Sequence, residues 1–319
     1  MPKNALVGVD IGGTKTAIVI SEQPPEVMER IEFPTRPAKG PEPALRLIRE
    51  GIHGLLQKHR LKAATIGVSC GGPLDHVSGV IQAPPNLSTW VDVPIKAILE
   101  KEFGATCHLE NDANAGAVAE HRFGAGRGCQ NMVFLTMGTG LGAGIIADGR
   151  LYHGTNDFAG EIGHVRLTRS GPVGYHKAGS VEGWASGGGM TQVALKVVEA
   201  ARKRNEPTLL TELLQRGKPI TARDVAVAAR KGDAVAIRIL RSTGKRLGAV
   251  LAILVDILNP ERIVIGGLAI RLGDTLLGPA RDVMQREALP YSASVCQVVP
   301  AQLDERIGDV AALCVAMGF

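Results

Sequence analysis

Runs of β-branched apolar residues interrupted by glycine-rich turns are the clearest pattern in this chain. Residues 5–20 consist of two such runs around a turn, which is typical of a β-hairpin. The pattern returns at 131–149, where a second pair of runs flanks another glycine-rich turn. The two hairpins each begin a longer series of predicted strands and helices, so the sequence predicts a repeated α/β architecture.

The remaining elements follow from the spacing of apolar positions. Helical spacing predicts helices over 44–60, 94–103, 111–124, 190–204, 207–216, 221–230, 232–258, 269–287 and 308–316. Short apolar runs predict strands over 28–33, 64–70, 107–111, 262–267 and 294–301, and 152–189 is expected to be irregular. We therefore expect two α/β lobes with a cleft between them, a smaller domain over 1–121 completed by a C-terminal helix over 305–319, and a larger domain over 122–304.

Composition narrows the class of protein. The 319 residues are 45% apolar and 21% charged, as in ordinary soluble domains, and the net charge of +5 includes no dense basic block that would favour nucleic-acid binding. The five cysteines include no Cys-x-x-Cys pair, which fits a reducing compartment. The N-terminus lacks a signal-peptide pattern, and the most apolar stretch, 247–258, is shorter than a membrane span. The expected location is the cytoplasm, without membrane contact.

The first glycine-rich turn carries more chemistry than a hairpin needs. Asp10 ends an apolar strand and is followed by Gly12, Gly13, Thr14 and Lys15. A carboxylate at this place is suited to hold Mg²⁺, directly or through water, and the turn offers donors to phosphate oxygens. A plain Gly-Gly hairpin turn is the alternative interpretation.

The second turn contains Gly138, Thr139 and Gly140. Its Gly-x-Gly spacing also fits a dinucleotide-binding fold, but that interpretation requires a helix to follow, and the next run predicts a strand. Two hairpin turns of this kind suggest a phosphate held from both sides, and hence a protein that handles nucleotide phosphates.

Asp112 is the main candidate for chemistry. It lies at the predicted start of a helix, where the helix dipole favours the ionised carboxylate, which can accept a proton from an attacking hydroxyl. The alternative is that Asp112 only caps the helix.

Two further sets of residues are candidates for binding. Glu161, His164 and Glu182 lie in a glycine-rich loop and suit the hydroxyls of a sugar; a solvated loop is the alternative, as is a metal site that would also use His153 and His176. A glycine pair, 266–267, follows a buried strand and would admit an adenine ring, or would serve packing alone.

Taken together, these motifs resemble the ROK family of repressors and kinases, and within it the glucokinase-like bacterial sugar kinases. The matching segments are, in chain order, DIGGTK, the strand ending in GGP, APPNLSTW, ENDANAGAVAEHRFGAG, MGTGLGAGI, GTNDFAGEIGHV and VIGG. The resemblance covers nearly the whole chain. It implies the two-domain actin-like ATPase (ribonuclease H-like) fold, with the active site in the cleft.

The resemblance also implies roles for individual residues. Asp112 corresponds to the base that deprotonates the primary hydroxyl of the sugar, and Asp10 to the carboxylate associated with Mg²⁺. The nucleotide-binding set is Asp10, Gly12, Gly13, Thr14, Lys15, Thr136, Gly138, Thr139, Gly140, Gly266 and Gly267. The sugar-binding set is Gly72, Asn86, Asn111, Asp112, Glu161, His164 and Glu182.

The chain departs from the family at one place. Many members carry a zinc site in which the cysteines of Cys-x-Cys-Gly-x-x-Gly-Cys follow a histidine. Here Val173, Tyr175 and Ser180 occupy the three cysteine positions, while His164 and Glu182 remain. These side chains are poor substitutes for thiolates, so we expect no structural zinc and a loop held by packing or by a partner subunit.

The sequence hypothesis is an ATP-dependent sugar kinase acting on glucose or an N-acetylhexosamine, with Mg²⁺ as cofactor and a homodimer as the expected assembly. Polyphosphate stays open as an alternative donor. The rival is a sugar-sensing protein with weak or no catalysis, and a third option is an ATPase or dinucleotide enzyme without a sugar, which leaves Glu161, His164 and Glu182 unexplained. Only a few residues precede the first strand, so no DNA-binding helix-turn-helix is expected there.

Overall fold

The structure is a computed structural model that describes residues 3–318. Its strands are β1 (Lys3–Ile11), β2 (Lys15–Ser21), β3 (Glu29–Pro34), β4 (Leu61–Cys70), β5 (Leu74–Asp75), β6 (Val80–Ile81), β7 (Thr106–Asn111), β8 (Met132–Met137), β9 (Leu141–Ala147), β10 (Arg150–Leu151), β11 (Val173–Gly174), β12 (Lys177–Ala178), β13 (Arg262–Ile265) and β14 (Gln297–Pro300). Its α-helices are α1 (Glu42–His59), α2 (Ile95–Phe103), α3 (Asp112–Phe123), α4 (Val181–Ala185), α5 (Gly187–Lys203), α6 (Thr211–Gln215), α7 (Ala222–Arg230), α8 (Ala234–Leu258), α9 (Leu268–Leu272), α10 (Asp274–Glu287), α11 (Pro290–Val295) and α12 (Ile307–Met317).

The described chain folds into two compact units. The first comprises the residues up to Gly128, the segment Gly144–Ala159 and the residues from Leu303 onward. The second comprises Cys129–Ala143 and Gly160–Gln302. In residues 3–318, every helix is too short or too polar to span a bilayer.

The two large sheets have the same topology. The first has the strand order β3-β2-β1-β4-β7, in which β1 pairs antiparallel with β2 and parallel with β4. The second has the order β10-β9-β8-β13-β14, in which β13 pairs parallel with both β8 and β14. The repeated architecture predicted from the two hairpins is therefore confirmed.

Each unit has its own apolar core. In the first, the apolar face of α1, with Ile48 and Ile52, packs with the sheet. Helix α12 lies on the same sheet, where a Cβ on Gly8 would come within 3.0 Å of the Ala312 Cβ. The Thr65 hydroxyl donates to the Ala316 carbonyl at 2.6 Å. This close packing of α12 fixes the positions of the strands that end at the candidate site.

In the second unit, α8 forms the centre of the core. Its buried side chains include Leu247 and Leu251, which belong to one cluster with Ile263 of β13. Burial of each such side chain contributes roughly 1.5–3 kcal/mol.

Several predicted bounds were wrong for local reasons. Helix α5 begins at Gly187, three residues early, because the Ser186 hydroxyl accepts from the Gly189 N–H and caps it. The helices predicted over 269–287 are α9 and α10, which meet at Gly273, whose φ is 51°. The expected irregular stretch contains the β11–β12 hairpin and α4, and of 207–216 only α6 is α-helical.

Candidate functional site

The first glycine-rich turn joins β1 to β2 and is held by a buried threonine from outside it. The Gly12 N–H donates to the Lys15 carbonyl at 2.9 Å, which closes the hairpin. The Thr35 hydroxyl donates to the Gly12 carbonyl at 2.7 Å, and the Thr35 N–H donates to the Thr14 carbonyl at 3.1 Å. Thr35 is 2% exposed. The turn is thus fixed at both of its ends, as a phosphate-binding turn must be to keep its N–H groups in place.

Lys15 points along the hairpin toward β3. Its Nζ lies 2.8 Å from Glu32 Oε2, and 60% of its side chain is exposed. An exposed ion pair of this kind contributes little stability, so breaking the contact between Lys15 and Glu32 costs little free energy.

Asp10 ends β1 in a strongly unfavourable electrostatic environment. The pKa of its carboxyl is raised to about 7, first by burial and then by the nearby Asp112 and Asp309, while Lys15 and Arg30 act in the opposite direction. Gly308 leaves room for this carboxylate, since a Cβ there would lie 2.5 Å from Asp10 Oδ2. Three negative charges in one region would be relieved by a cation.

The junction of β7 and α3 presents Asn111 and Asp112. Asn111 Oδ1 accepts from the N–H groups of Ala113 and Asn114, at 2.9 and 3.4 Å, so Asn111 is the N-cap of α3. Asp112 is the first residue of the helix. The interpretation of Asp112 as a capping residue is therefore wrong, and its carboxylate remains available for another role.

The pKa of Asp112 is raised by desolvation, although the backbone N–H groups at the start of α3 act to lower it. These N–H groups favour the ionised carboxylate, as expected at the start of a helix, but desolvation outweighs them. The residue itself remains accessible to solvent. An accessible carboxylate with a raised pKa is a stronger proton acceptor than an ordinary aspartate.

Asn86 and Gly72 lie beside these elements in the first unit. Asn86 is exposed on a short 3-10 helix, Pro85–Leu87, against the first turn, since a Cβ on Gly13 would lie 2.7 Å from the Asn86 Cβ. A Cβ on Gly72 would lie 3.2 Å from Asn111 Nδ2. The structure thus brings together in the first unit the predicted residues Asp10, Gly12, Gly13, Thr14, Lys15, Gly72, Asn86, Asn111 and Asp112.

The second turn joins β8 to β9 and is held by the first residues of α5. The Gly138 N–H donates to the Gly140 carbonyl at 3.1 Å. The N–H groups of Gly187 and Gly188 donate to the carbonyls of Gly138 and Thr139, at 2.8 and 3.1 Å. Since β9 is a strand, the expectation that no dinucleotide-type helix follows this turn is confirmed.

Glu182 and His164 come together near this turn. Glu182 Oε2 accepts from the Leu141 N–H at 3.2 Å, and a Cβ on Gly140 would lie 2.7 Å from that oxygen. His164 ends the 3-10 helix Ile162–His164, and Glu161 precedes it. A Cβ on Gly163 would lie 3.5 Å from the Glu182 Cβ. The second unit therefore groups the three predicted sugar-binding residues beside the second turn.

The loop that departs from the family is held by hydrogen bonds and ring contacts. The Lys177 Nζ donates to the His164 carbonyl at 2.6 Å, and the Tyr175 ring meets the His164 ring edge-on with centroids 4.6 Å apart. The Ser180 hydroxyl accepts from the Gly183 N–H at 3.1 Å and donates to the Gly174 carbonyl at 3.3 Å. Among residues 3–318, no three His, Cys, Asp or Glu side chains are grouped so as to hold a metal ion.

A cavity of about 430 Å³ opens in the second unit beside the second turn, a volume typical of small-molecule pockets. Its lining includes Gly138, Thr139, Gly188, Thr221, Gly267 and Arg271. Gly267 is exposed and adopts φ 65°, packed on the Met137 carbonyl, whereas Gly266 is buried against the Phe134 ring. The two glycines of the predicted pair thus have different surroundings.

Sequence reasoning missed the residues that support the site rather than line it. Thr35 and Glu110 are buried polar residues whose partners are distant in the chain, and nothing in their local pattern marks them. Gly187 and Gly188 were detectable, because Ser186 followed by three glycines before an apolar helical pattern is a helix-start signal.

Comparison with known proteins identifies the family. The ROK family model matches residues 6–317. The chain is 36% identical to the glucokinase of Halalkalibacterium halodurans, covering 95% of this chain and 92% of that protein. It is 32% identical to the glucokinase of Thermotoga maritima, covering 97% and 96%.

A ROK family glucokinase from Streptomyces griseus, solved in complex with glucose and AMPPNP, matches 99% of this chain and 100% of its own, with 31% identity and a TM-score of 0.82. This likeness confirms the predicted fold class, the two-domain α/β fold of the actin-like ATPases. With the family model matching almost end to end, this chain belongs to the ROK family.

Proposed function

We propose that this chain is an ATP-dependent sugar kinase that transfers the γ-phosphoryl group to a hexose hydroxyl, with Asp112 as the general base. The observation that carries the proposal is the accessible Asp112 carboxylate, with a raised pKa, at the start of α3 beside Asn111. The glucokinase relatives, at 32–36% identity over most of the chain, support a hexose as the acceptor.

Asp10 is the residue that would hold Mg²⁺. Its pKa of about 7 reflects burial and two neighbouring carboxylates, which is the environment that a divalent cation relieves. The described residues form no three-ligand metal group, and Mg²⁺ commonly takes one or two carboxylates and completes its shell with water and phosphate oxygens. When bound there, Mg²⁺ would neutralise phosphate charge during transfer.

The second unit would bind the nucleotide. Its cavity of about 430 Å³ has the size for a nucleoside, and Gly267, which packs on the Met137 carbonyl, is among its lining residues. The N–H groups of the second turn, around Gly138 to Gly140, would donate to phosphate oxygens. Thr136 and Thr139 would add hydroxyl donors at the same strand end.

The residues that would bind the sugar are Gly72, Asn86, Asn111, Glu161, His164 and Glu182. Carboxylates, amides and imidazole are suited to hydroxyl pairs, because each accepts or donates in a fixed direction. Asp112 would accept the proton from the attacking hydroxyl, and that oxygen would then bond to the γ-phosphorus as the bond to the β–γ bridging oxygen breaks.

The test is ADP release with MgATP across a panel of glucose, N-acetylglucosamine, N-acetylmannosamine, fructose and allose, on the unaltered protein and on Asp112→Asn. We expect sugar-dependent turnover that falls by roughly a hundredfold or more in Asp112→Asn, since general-base catalysis is worth about 10²–10⁴. Asp274→Asn is the matched control, because Asp274 is also the first residue of a helix, α10, and is highly exposed.

Turnover that persists in Asp112→Asn would refute the base role. Absence of turnover with every sugar, in folded protein that still binds glucose in calorimetry, would instead identify the chain as a sugar sensor. A parallel arm with polyphosphate in place of ATP separates the two phosphoryl donors.

We further propose a cytoplasmic homodimer, as the family resemblance implies. All five cysteines are buried thiols, which suits a reducing compartment. Leu289, Tyr291 and Val295 expose large apolar side chains on and beside α11, with Tyr291 86% exposed, as at interfaces between subunits. Light scattering after size exclusion, at about micromolar protein, would give a dimer mass; a monomer mass would refute the assembly.

A further inference from the structure

Glu110 is a buried carboxylate at the end of β7, immediately before the two candidate site residues. Its side chain is 2% exposed. Glu110 Oε1 accepts from the Asn111 N–H at 2.8 Å and from Asn114 Nδ2 at 2.9 Å. Both bonds hold the chain on either side of Asp112, so the Glu110 carboxylate helps set the backbone position from which Asp112 projects.

The other oxygen of Glu110 faces His153. His153 Nε2 lies 2.7 Å from Glu110 Oε2, and the His153 side chain is 23% exposed. The hydrogen bond to Glu110 raises the pKa of His153, which favours the charged imidazolium that a buried carboxylate needs as its partner. A buried carboxylate that loses its partner either takes up a proton or moves toward water, and either change weakens its other bonds.

The orientation of the His153 ring is also fixed. The His76 ring stacks on it with centroids 4.2 Å apart and an angle of 9° between the planes. His76 Nδ1 lies 2.7 Å from Asp157 Oδ2, and the same oxygen accepts from the backbone N–H of His76 at 3.0 Å. Hence Nε2 of His153 is directed at Glu110.

We propose that His153 is a positioning residue for the phosphoryl-transfer reaction, acting through Glu110 to hold Asn111 and Asp112 in place. The inference rests on the proposed role of Asp112. His153 itself bonds to the supporting carboxylate, so its effect should appear in the chemical step rather than in nucleotide binding.

The experiment compares His153→Leu and His153→Gln with the unaltered protein by steady-state kinetics with glucose and MgATP. His153→Leu removes the donor to Glu110, whereas the amide of glutamine can supply a donor close to the Nε2 position. We expect His153→Leu to lower kcat by about tenfold to a hundredfold, as small misplacements of reacting groups do, with KM for MgATP changed by less than about threefold. His153→Gln should recover most of the kcat.

A matched control separates positioning from general stability. His59 Nε2 lies 2.6 Å from Glu29 Oε2, also in the first unit, with 26% of each side chain exposed. His59→Leu therefore removes an imidazole–carboxylate contact away from α3, at a carboxylate that keeps Lys58 Nζ as a second partner at 2.7 Å. Its kcat should stay within about twofold once the folded fraction is measured.

The kinetic results distinguish failure of the positioning role of His153 from failure of the base role of Asp112. A His153→Leu variant with unchanged kcat, beside an inactive Asp112→Asn variant, overturns the positioning role alone. Equal losses of kcat in His153→Leu and His59→Leu, or no recovery in His153→Gln, also overturn it. An active Asp112→Asn variant refutes the proposed base instead.

Discussion

Replacing Asp10 with asparagine should stabilise the folded protein at alkaline pH while removing its activity. The pKa of Asp10 is about 7 in the folded chain, against about 3.9 for an aspartate in an unfolded chain. Between these values the folded state holds a proton that the unfolded state has released. The stability contributed by Asp10 is therefore complete below about pH 4 and is lost as the pH rises through about 7.

The magnitude follows from this difference in pKa. Between about pH 5.5 and about pH 8.5, proton linkage lowers the free energy of unfolding by ~2 kcal/mol. Because Asp10 is only half-buried, solvent screens part of the effect, and we expect 1–2 kcal/mol, as an order-of-magnitude range. The asparagine variant does not titrate and keeps an amide that can donate to neighbouring carboxylates, so the stability difference in its favour should grow by that amount over this range.

The assay is urea unfolding without divalent metal, followed by the fluorescence of Trp90, which is fully buried in the first unit. The second of the two tryptophans, Trp184, is replaced by phenylalanine in every variant. Asp75→Asn is the control, because hydrogen bonds from Ser78 lower the pKa of Asp75 and it does not titrate in this range. A stability difference between Asp10→Asn and the parent that stays constant with pH would refute the reasoning.

Three further outcomes are expected. Thr35→Val removes the hydrogen bond from the Thr35 hydroxyl to the Gly12 carbonyl, a loss of ~1–1.5 kcal/mol. It should raise KM for MgATP by roughly tenfold. An unchanged KM would show that the turn keeps its conformation without this hydrogen bond. Gly140→Ala places a Cβ 2.7 Å from Glu182 Oε2 and should raise KM for the sugar. Gly138→Ala places its Cβ in open space and should raise that KM less. Equal increases of KM for the sugar in the two variants would contradict the proposed role of Glu182. A zinc-selective chelator such as phenanthroline should leave turnover unchanged at saturating Mg²⁺, and inactivation that added zinc reverses would reveal a metal that the sequence does not predict.

Which features can be predicted from the sequence depends on how far apart along the chain the interacting residues are. The two hairpins, the start of α3 and the repeat of topology follow from local patterns, and the structure confirms them. The local pattern also predicted α8, which ends at Leu258 and is followed by Asn259 in the left-handed conformation and by Pro260. The ROK family and the fold class were predicted from motifs in chain order, and both are confirmed.

Contacts between distant residues were not predictable in this way. Thr35 is 23 residues from Gly12, and His153 is 43 residues from Glu110. Each pair forms only because separate strands and loops are brought together in the folded unit, and a single sequence carries no signal for that pairing. The net direction of the pKa shift of Asp112 was not predicted either, since desolvation depends on everything packed around the carboxylate and not on its place in a helix.

The carboxylates of the first unit show how this fold keeps a reactive arrangement stable. Asp10 lies near Asp112 and Asp309, and their mutual repulsion opposes folding when all are ionised. Arg30 offsets part of it, since its Nε donates to both Asp309 oxygens at 3.0 Å. Glu110 has His153 as its partner, with Nε2 2.7 Å from Oε2, and this hydrogen bond raises the pKa of the imidazole. Asp309 and Glu110, which the proposed reaction does not use directly, thus each have a partner. The negative charge without such a partner is then that of Asp10, which would bind a metal ion, and of Asp112, which would accept a proton.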